Sequence, residues 1–364
     1  DAGVFFAARA ASGRGGRHAA EHADRVVELL CLAAQAVGGG GALFHQRRVL
    51  LRHLVELGHR IVHLADAAGL LAGYLADSVL GDPRRLHPVA GFGCTAAALE
   101  KLSYRPTRVA GAAHVCVLVG AVAFAGRLLP RHTVVVAAAT WTVLGGRSLE
   151  REALAVHDLL ARGDLDGARV RVRNLVGRDT SGLDAGQVAR AAVESVAENG
   201  SDAVVAPLFW GAVAGTPGLL THRAINTLDA MIGHHSPRYE QFGWAAAKLD
   251  DLVNWPAARV SVLCTMLVQP HRVPAIVTTV RRDAPAHPSP NAGPVESAYA
   301  AALGVRLGGT NSYHGAVEHR GVLGDGRAVA PDDLLRVVRL HRRVCGAALA
   351  MSVAASLGVS ALRS

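Results

Sequence analysis

The chain has 364 residues, of which 51% are apolar and only 18% are charged. Soluble domains carry about 25% charged residues, so this composition excludes an ordinary soluble enzyme and favours a protein that contacts lipid. The formal net charge is +9 and aromatic residues make up 4% of the chain. Because no basic segment contains interleaved aromatic residues, we expect no nucleic-acid partner.

Residues 1–62 differ in composition from everything after them. They are rich in Gly, Arg and Ala and include the run Gly38–Gly41, which is typical of a low-complexity segment rather than of a packed core. Acidic residues such as Glu21 and Asp24 argue against a transit peptide. We therefore expect residues 1–62 to be an N-terminal extension outside the functional unit. Residues 63–364 are expected to form the membrane-embedded functional domain.

Apolar segments of membrane-spanning length follow this extension. Val109–Leu129 contains a single charged residue, Arg127, and Val344–Leu362 contains none. Both approach the roughly 20 residues that a transmembrane helix needs. Shorter or interrupted apolar segments raise the expected number of spans to about four to six. These segments are Leu64–Leu80, Thr133–Gly146, Ala203–Leu220 and Ala257–Val268.

Arginine residues such as Arg105, Arg281 and Arg339 flank the apolar segments. Under the positive-inside rule, flanks of this kind mark cytoplasmic loops. No extended segment alternates between apolar and polar residues, as a half-buried strand would. The predicted fold is therefore mainly α, a polytopic integral membrane protein with helical cytoplasmic loops.

The polar central part of the chain begins with a loop and a helix. Gly177-Arg178-Asp179-Thr180 combines backbone amides with a guanidinium, which suits phosphate or carboxylate anions. The alternative is an Arg178–Asp179 pair within the loop. Ser181-x-x-Asp184 resembles a capping box that opens a helix, and Asn199-Gly200 is expected to close it.

The segment Glu194–Phe209 places acidic and amide side chains directly before an apolar stretch. Glu194 and Glu198 lie four residues apart, so both face the same side of a helix, and Asn199 and Asp202 follow them. Two carboxylates on one helix face can hold Mg²⁺, which prefers oxygen ligands. The alternative is a solvated polar stripe in which a basic neighbour pairs with Glu194.

Two further acidic blocks flank later apolar segments. Asn226 and Asp229 lie three residues apart, and either both meet a ligand or Asn226 caps a helix. Asp250 and Asp251 precede Trp255-Pro256, where we expect the helix to end. They either hold a cation or are solvated acids at a fraying helix end.

Two later loops present polar side chains. His287–Gly293 is stiffened by prolines and presents His287, Ser289 and Asn291, so it either positions catalytic groups or only connects helices. The segment around Gly308-Gly309-Thr310-Asn311 is expected to be a flexible turn whose polar side chains contact phosphate.

Taken together, these blocks resemble the adenosylcobinamide-phosphate synthase family, the membrane enzymes of cobalamin biosynthesis. The resemblance extends over about residues 66–362, and the order and spacing of the blocks make coincidence improbable. The blocks are Asp77–Pro83 with His87-Pro88, Gly177–Thr180, Glu194–Phe209, Asn226–Gly233, Phe242-Gly243, Leu249–Arg259, His287–Gly293 and Leu307–Tyr313.

The resemblance implies an ATP- and Mg²⁺-dependent amide ligase. The family joins the propionate carboxylate of adenosylcobyric acid to the amine of aminopropanol phosphate, (R)-1-aminopropan-2-ol phosphate, and forms adenosylcobinamide phosphate. The resemblance also implies a multi-pass protein of the cell (inner) membrane, embedded in the lipid bilayer, with its active site facing the cytoplasm. Other cobalamin-assembly enzymes at the membrane are candidate partners.

Residue roles are assigned from the resemblance together with side-chain chemistry. Mg²⁺ that bridges ATP oxygens is expected on four carboxylates, those of Glu194, Glu198, Asp250 and Asp251. The expected catalytic residues are Glu194, Glu198, Asp202 and His287, with His287 as the general base for the amine. Substrate and phosphate contacts are expected from Arg178, Asp179, Asn199, Asn226, Asp229, Ser289, Asn291 and Asn311.

The competing interpretation is a non-catalytic corrinoid-binding or transport membrane protein. Its ionisable residues would lie in the middle of the spans, on an ion or substrate path. Here the acidic residues flank the apolar segments, and this placement favours an enzyme.

Overall fold

The computed structural model describes residues 63–83, 87–234, 236–313 and 316–362, apart from the side chains of residues 310–319 and 359–362. The predicted N-terminal extension, residues 1–62, lies outside this part of the chain. The domain boundary at residue 62 therefore stays a prediction.

Twelve α-helices and one β-hairpin make up the described part of the chain. The first four helices are α1 (63–80), α2 (Pro88–Ser103), α3 (Arg108–Leu128) and α4 (Thr133–Val143). The central helices are α5 (Gly146–Ala161), α6 (Leu165–Val172), α7 (Ala185–Gly200), α8 (Ala206–Leu228) and α9 (Trp244–Val268). The last elements are α10 (Val273–Asp283), α11 (Ala292–Leu303), β1 (Leu307–Tyr313), β2 (Ala316–Leu323) and α12 (Asp333–Leu362). The prediction of a mainly α fold is confirmed.

Two stretches are long and apolar enough to cross a membrane, by length and composition: α3 and the 49-residue run Ala185–Gly233. A third is added if α9 and Pro270–Ala286, which meet at a bend of 107°, form one span. The predicted span Val109–Leu129 matches α3 closely, because uninterrupted apolar composition is enough to define such a helix. The predicted segment Ala203–Leu220 falls within the second stretch, and Ala257–Val268 falls within the third. Among the described residues, the stretches that pass this test do not include Leu64–Leu80, Thr133–Gly146 or Val344–Leu362. The helix Thr133–Val143 has only 11 residues.

Three clusters of buried apolar side chains hold the helices together. The largest packs α5, α6 and α7 against α9, α11 and α12. The second joins α1, α4, α8 and α12, and the third joins α2, α3, the end of α8 and the start of α9. Close backbone approach also contributes. A β-carbon on Gly111 of α3 would overlap the carbonyl oxygen of Phe242, so this contact requires glycine.

Helix α8 is a hairpin rather than a straight rod. Gly215 adopts φ +64° and ψ −158°, which breaks the helix two residues before Pro217. A β-carbon placed on Gly218 would lie 2.6 Å from the carbonyl oxygen of Trp210, although these residues would be about 12 Å apart along a straight helix. The chain therefore doubles back at Gly215, and the two ends of α8 lie side by side.

A β-hairpin stands where the sequence predicted a flexible turn and no strands. β1 and β2 pair antiparallel with Leu307 opposite Leu323, and the register shifts between Gly308 and Thr310. Gly308 and Gly309 have φ values of +73° and +91°, which residues other than glycine rarely adopt. The expectation of a structure without strands was wrong, because these glycines form a β-bulge that interrupts the alternating pattern.

Two predicted helix ends were also wrong. The capping box of α7 is formed by Asp184 and Gln187 rather than by Ser181 and Asp184. The predicted end of α7 at Asn199-Gly200 matches the end of the α-helix, and a π-helical turn follows it. Helix α9 runs through Pro256 instead of ending before it. Pro256 cannot donate to the carbonyl four residues earlier, but the neighbouring carbonyl of Val253 accepts a hydrogen bond from Trp210 Nε1 at 3.0 Å. Packing against α8 thus supports a helix that the local sequence disfavours.

Candidate active site

Two π-helical turns interrupt the central helices, and each contains an aspartate. Ser201–Val205 joins α7 to α8 and contains Asp202, and Asp229–Gly233 follows α8 and begins with Asp229. A π-helical turn reorients the side chains next to it, and such turns are frequent at functional sites. Because α8 folds back at Gly215, both turns lie at the same end of the hairpin, and the two carboxylates interact electrostatically.

Four carboxylates meet at this end of the hairpin and form the acid cluster: Glu198, Asp202, Asp229 and Asp250. Each interacts electrostatically with the other three, and all four are half-buried. Within the described chain, no Lys or Arg nitrogen lies within 4.0 Å of any of them. Among the described residues, Arg178 and Arg320 act on Glu198, and Arg223 acts on Asp202, without a direct ion pair. The like charges of the half-buried cluster therefore favour a bound cation or proton.

The donors of the acid cluster suit Mg²⁺, although they do not form a finished cage. No three His, Cys, Asp or Glu side chains of the described residues are placed to share one metal ion. Mg²⁺ usually keeps several waters and takes only one or two carboxylates together with substrate phosphates, so the cluster fits this ion by donor chemistry. Of the expected metal ligands, Glu198 and Asp250 belong to the cluster. Asp251 instead lies 3.4 Å from Lys248 Nζ.

Asp250 is oriented by neutral side chains from α8 and α9. Its Oδ2 accepts a hydrogen bond from Asn254 Nδ2 at 2.9 Å, and its Oδ1 accepts one from Asn226 Nδ2 at 3.4 Å. Asn254 Oδ1 lies 2.7 Å from His222 Nε2, and both residues are buried. Asn226 is therefore not a helix cap but an interior residue of α8 that fixes a carboxylate of the cluster.

Glu194 does not join the acid cluster, because both of its carboxylate oxygens already accept hydrogen bonds from other residues. Its Oε2 accepts a hydrogen bond from Arg178 at 2.7 Å, and its Oε1 accepts one from the Gly308 amide at 2.8 Å. Arg190 also approaches Oε1, at 3.7 Å, and donates to the Gly308 carbonyl. Both oxygens of Glu194 thus join α7 to the preceding loop and to β1. This geometry favours a structural role for Glu194 and Arg178 over metal or phosphate binding.

Arg223 is a cation beside the acid cluster that sequence reasoning missed. It lies on α8 within electrostatic range of Asp202 and of Asp82 in the loop after α1. Its Nε is buried without a hydrogen-bond partner, and no carboxylate of the described chain lies within 4.0 Å of the guanidinium. Arg223 is thus placed to contact an anion in front of the cluster. Asp202 lies in the acidic segment Glu194–Phe209, which is recognisable in the sequence, whereas Arg223 lies in no recognisable motif.

His287 is buried and already engaged by its own loop. The Ser289 amide donates to His287 Nδ1 at 3.1 Å, and Nε2 lies 3.8 Å from Glu296 Oε1. A neutral ring that accepts at Nδ1 carries its proton on Nε2, so this geometry does not favour His287 as a base. Glu296, which sequence reasoning also missed, is fully buried. Its pKa is raised well above the ordinary range by burial and by the nearby carboxylates of Glu194 and Glu198.

The rest of the His287–Gly293 loop fixes the start of α11 and a side chain of α9. Ser289 Oγ accepts hydrogen bonds from the Asn291 and Ala292 amides at 3.3 and 3.1 Å, so it satisfies two backbone amides at the start of α11. Asn291 Nδ2 donates to the Asp251 carbonyl at 2.8 Å, and Asn291 Oδ1 accepts from Arg259 at 3.1 Å. The loop therefore holds Arg259 in place on α9, nine residues after Asp250 of the same helix.

Three other predicted contact residues do not join the acid cluster. Asp179 is exposed, and hydrogen bonds from the backbone amide and then the hydroxyl of Ser181 lower its pKa. Asn199 is exposed and donates to Ser195 one turn earlier in α7. Asn311 lies in β1, and its side chain is outside the described part of the chain.

Comparison with known proteins identifies the relatives of this chain. The family model described as CobD/Cbib protein matches residues 70–341. The cobalamin biosynthesis protein CobD of Mycobacterium tuberculosis (strain H37Rv) is 49% identical over 296 residues, covering 79% of this chain and 95% of the relative. The protein of the same name from Chromobacterium violaceum is 43% identical over 301 residues, covering 79% and 96%. One from Rhodobacter capsulatus is 42% identical over 308 residues, covering 80% and 98%. No solved structure matches the chain.

The helical fold with candidate membrane spans and the carboxylate-rich site define a membrane protein of the mainly α class. The chain belongs to the CobD/CbiB family, and the family resemblance inferred from the sequence is confirmed. Membership of this family links the chain to cobalamin biosynthesis.

Proposed function

We propose that this protein is an ATP-dependent acid–amine ligase, an adenosylcobinamide-phosphate synthase. It joins the propionate carboxylate of adenosylcobyric acid to the amine of (R)-1-aminopropan-2-ol phosphate. The observation that supports this proposal is the placement of Arg223, without a direct counter-charge in the described chain, beside four mutually repelling carboxylates. A guanidinium within electrostatic range of carboxylates but not paired with one suits the phosphate chain of ATP with its divalent cation.

The proposed reaction needs an activated carboxylate, because a carboxylate oxygen is a poor leaving group. The propionate oxygen attacks the γ-phosphorus of ATP, the bond to ADP breaks, and an acyl phosphate forms. The amine then attacks the acyl carbon, inorganic phosphate leaves, and the amine loses one proton. Bound Mg²⁺, held by Glu198, Asp229 or Asp250, would neutralise charge on the phosphate oxygens.

The protein side chains have separate tasks in this proposal. Arg223 donates to the phosphoryl oxygens on which charge develops. Asn226 and Asn254 hold Asp250 in one orientation. Asp202 makes no ion pair with a described residue and lies at the same site, so it is our candidate acceptor for the amine proton. His287 becomes a positioning residue in place of the base that the sequence suggested.

The cellular setting is part of the proposal. We propose that the protein lies in the cell (inner) membrane, which the candidate spans support, and that the acid cluster faces the cytoplasm, where ATP is available. An amphipathic corrinoid could remain at the membrane for later steps, so other cobalamin-assembly enzymes are candidate partners.

The test uses membranes that contain the full chain, adenosylcobyric acid, aminopropanol phosphate and Mg-ATP, with mass spectrometry of the corrinoid. We expect a mass gain of one amide that requires ATP. Removing one donor to developing charge commonly lowers kcat by about 10²–10³-fold, so Arg223→Met should lose activity on this scale, and Arg223→Lys should recover part of it.

The matched control is Arg339→Met, which changes an exposed arginine on α12 and should retain full activity. Corrinoid binding without any product in the wild-type protein would contradict the ligase and favour a binding or transport protein. Full activity of folded Arg223→Met would remove Arg223 from the site.

A further inference from the structure

The tip of the α8 hairpin and the end of α3 enclose a basic cavity of about 360 Å³, at the opposite end of the hairpin from the acid cluster. Arg127 in the last turn of α3 and Arg131 in the following loop both line it. Both residues are exposed, and within the described chain neither guanidinium forms an ion pair or a hydrogen bond. Asp66 of α1 acts on Arg131 only through space. The cavity therefore favours an anion.

A buried hydroxyl of α8 faces the same cavity. Thr216 lines it and is only 3% exposed, and Thr216 Oγ1 has no hydrogen-bond partner among the described residues. A buried hydroxyl without a partner is costly, which favours a ligand that bonds to it. Because Thr216 follows the break at Gly215, the positive end of the second arm of α8 also lies here. Arg131 Nη2 lies over this break, 2.9 Å from the position of a β-carbon on Gly215.

An apolar groove of about 240 Å³ continues from the basic cavity, between α3 and the α8 hairpin. Arg127, Ala214 and Pro217 line both spaces, so the two are joined. The groove has mainly apolar walls, which include Ala123, Trp210, Ile225 and Val253. Arg127 stands where the polar and apolar spaces meet, at the end of a candidate membrane span. Basic residues at the ends of such spans extend to the level of the lipid headgroups.

We propose that these joined spaces, the α3–α8 lipid site, bind one anionic phospholipid, with its phosphate between Arg127, Arg131 and Thr216 and one acyl chain in the groove. A free phosphate would leave the apolar walls uncovered, and a lipid without net charge would leave the positive charge of the cavity uncompensated. Basic pockets between membrane helices bind anionic headgroups in this way. A lipid at the tip would stabilise the reversal of α8. This inference does not depend on the proposed reaction.

The test is native mass spectrometry of the purified full chain in detergent, titrated with phosphatidylglycerol or phosphatidylcholine that carry the same acyl chains. We expect one phosphatidylglycerol per chain to bind more tightly than phosphatidylcholine. Arg127→Gln and Arg131→Gln should each reduce this preference by about fivefold, the effect of one arginine near an anionic lipid. The matched control is Arg105→Gln, because Arg105 is an exposed arginine before α3 that lines neither space.

Two further variants test the groove and the hydroxyl. Ala123→Phe should fill the groove and raise the Kd of both lipids by about tenfold, whereas the same change at the exposed Ala125, which does not line the groove, should leave both unchanged. Thr216→Val removes a hydroxyl that no described residue bonds to. In lipid-free detergent its unfolding temperature should not fall, and phosphatidylglycerol should raise that temperature less than in the wild type.

Three results would overturn the lipid site. The first is equal binding of the two lipids by the wild type. The second is a preference for phosphatidylglycerol in the folded double variant Arg127→Gln/Arg131→Gln that equals the preference in Arg105→Gln. The third is a rise in unfolding temperature with inorganic phosphate as large as the rise with phosphatidylglycerol, which would assign the cavity to a free anion. Amide formation by the wild type is measured separately, so the lipid site and the ligase can fail independently.

Discussion

Arg178 and Arg223 both lie next to carboxylates, but only Arg178 makes an ion pair with one. The Arg178–Glu194 pair is buried, and Gly308 completes the hydrogen bonds of the carboxylate. Arg223 faces the acid cluster without such a contact among the described residues. Closing a buried pair adds little net stability, but removing one partner leaves an uncompensated charge. We therefore expect changes at Arg178 to affect stability and changes at Arg223 to affect activity.

Arg178→Met should destabilise the fold by about 3–5 kcal/mol, because the Glu194 charge stays buried without its main partner. The double variant Arg178→Met/Glu194→Met should recover most of this loss, except for the contribution of the Gly308 amide. Unfolding of the purified protein in detergent measures both effects. If Arg178→Met instead left stability unchanged and raised only the KM of a substrate, the sequence-based assignment of Arg178 to anion binding would be correct.

We expect the free energy of unfolding to depend on pH through the buried carboxyl group of Glu296. Burial and neighbouring carboxylates raise its pKa in the folded state above the ordinary value of 4.5, so the folded protein keeps a proton that the unfolded chain releases. As the pH rises above about 4.5, the free energy of unfolding falls, because only the folded state retains this proton. The fall continues until the pH reaches the folded-state pKa of Glu296. Glu296→Gln should remove this part of the decline and leave stability below pH 4.5 unchanged. Parallel wild-type and variant unfolding curves across pH would contradict the assignment.

The α8 hairpin and its two π-helical turns position the acid cluster. Gly215 reverses the chain, so Asp202 and Asp229 come together although α8 separates them. The position of the Asp229 carboxylate also requires glycine at residue 233, because a β-carbon there would overlap Asp229 Oδ1. The irregular residues at the ends and in the middle of α8 therefore determine where the carboxylates lie.

Gly233→Ala should displace the Asp229 carboxylate and lower activity by about 10²-fold, since small misplacements at a reacting centre have effects of this size. The fold should persist, because alanine favours helical structure over glycine by roughly 1 kcal/mol. Gly346→Ala on α12 is the control, as no atom lies within 4 Å of its added β-carbon. Amide formation and thermal unfolding are measured for both variants. Equal activities would show that the Asp229 position is unimportant.

The elements differ in how far the sequence could predict them. Helix α3 was predicted to within one residue at each end, since its composition alone defines a span. The course of α9 through Pro256 could not be predicted, because a tryptophan of α8 supports it. Strand β1 was missed because the irregularity at Gly308 and Gly309 interrupts its alternating pattern. Its pairing with β2 leaves no signal in the local sequence.

In the folded chain, helices distant in sequence build one site. Glu198, Asp202, Asp229 and Asp250 were all selected from the sequence, because they lie in acidic blocks that resemble the family. Their convergence was not predictable, since it depends on the reversal at Gly215. Arg223 was missed for the same reason: its own surroundings do not distinguish it from other arginines, and only the hairpin brings it to Asp202.

In the proposed reaction, ATP activates the propionate carboxylate at the acid cluster. The most direct test supplies adenosylcobyric acid with ¹⁸O in that carboxylate, together with Mg-ATP and aminopropanol phosphate, and analyses the released phosphate by mass spectrometry. We expect transfer of one ¹⁸O atom to inorganic phosphate for each amide formed, and loss of this transfer in Arg223→Met. Amide formation with unlabelled phosphate, or with the label in AMP, would contradict it.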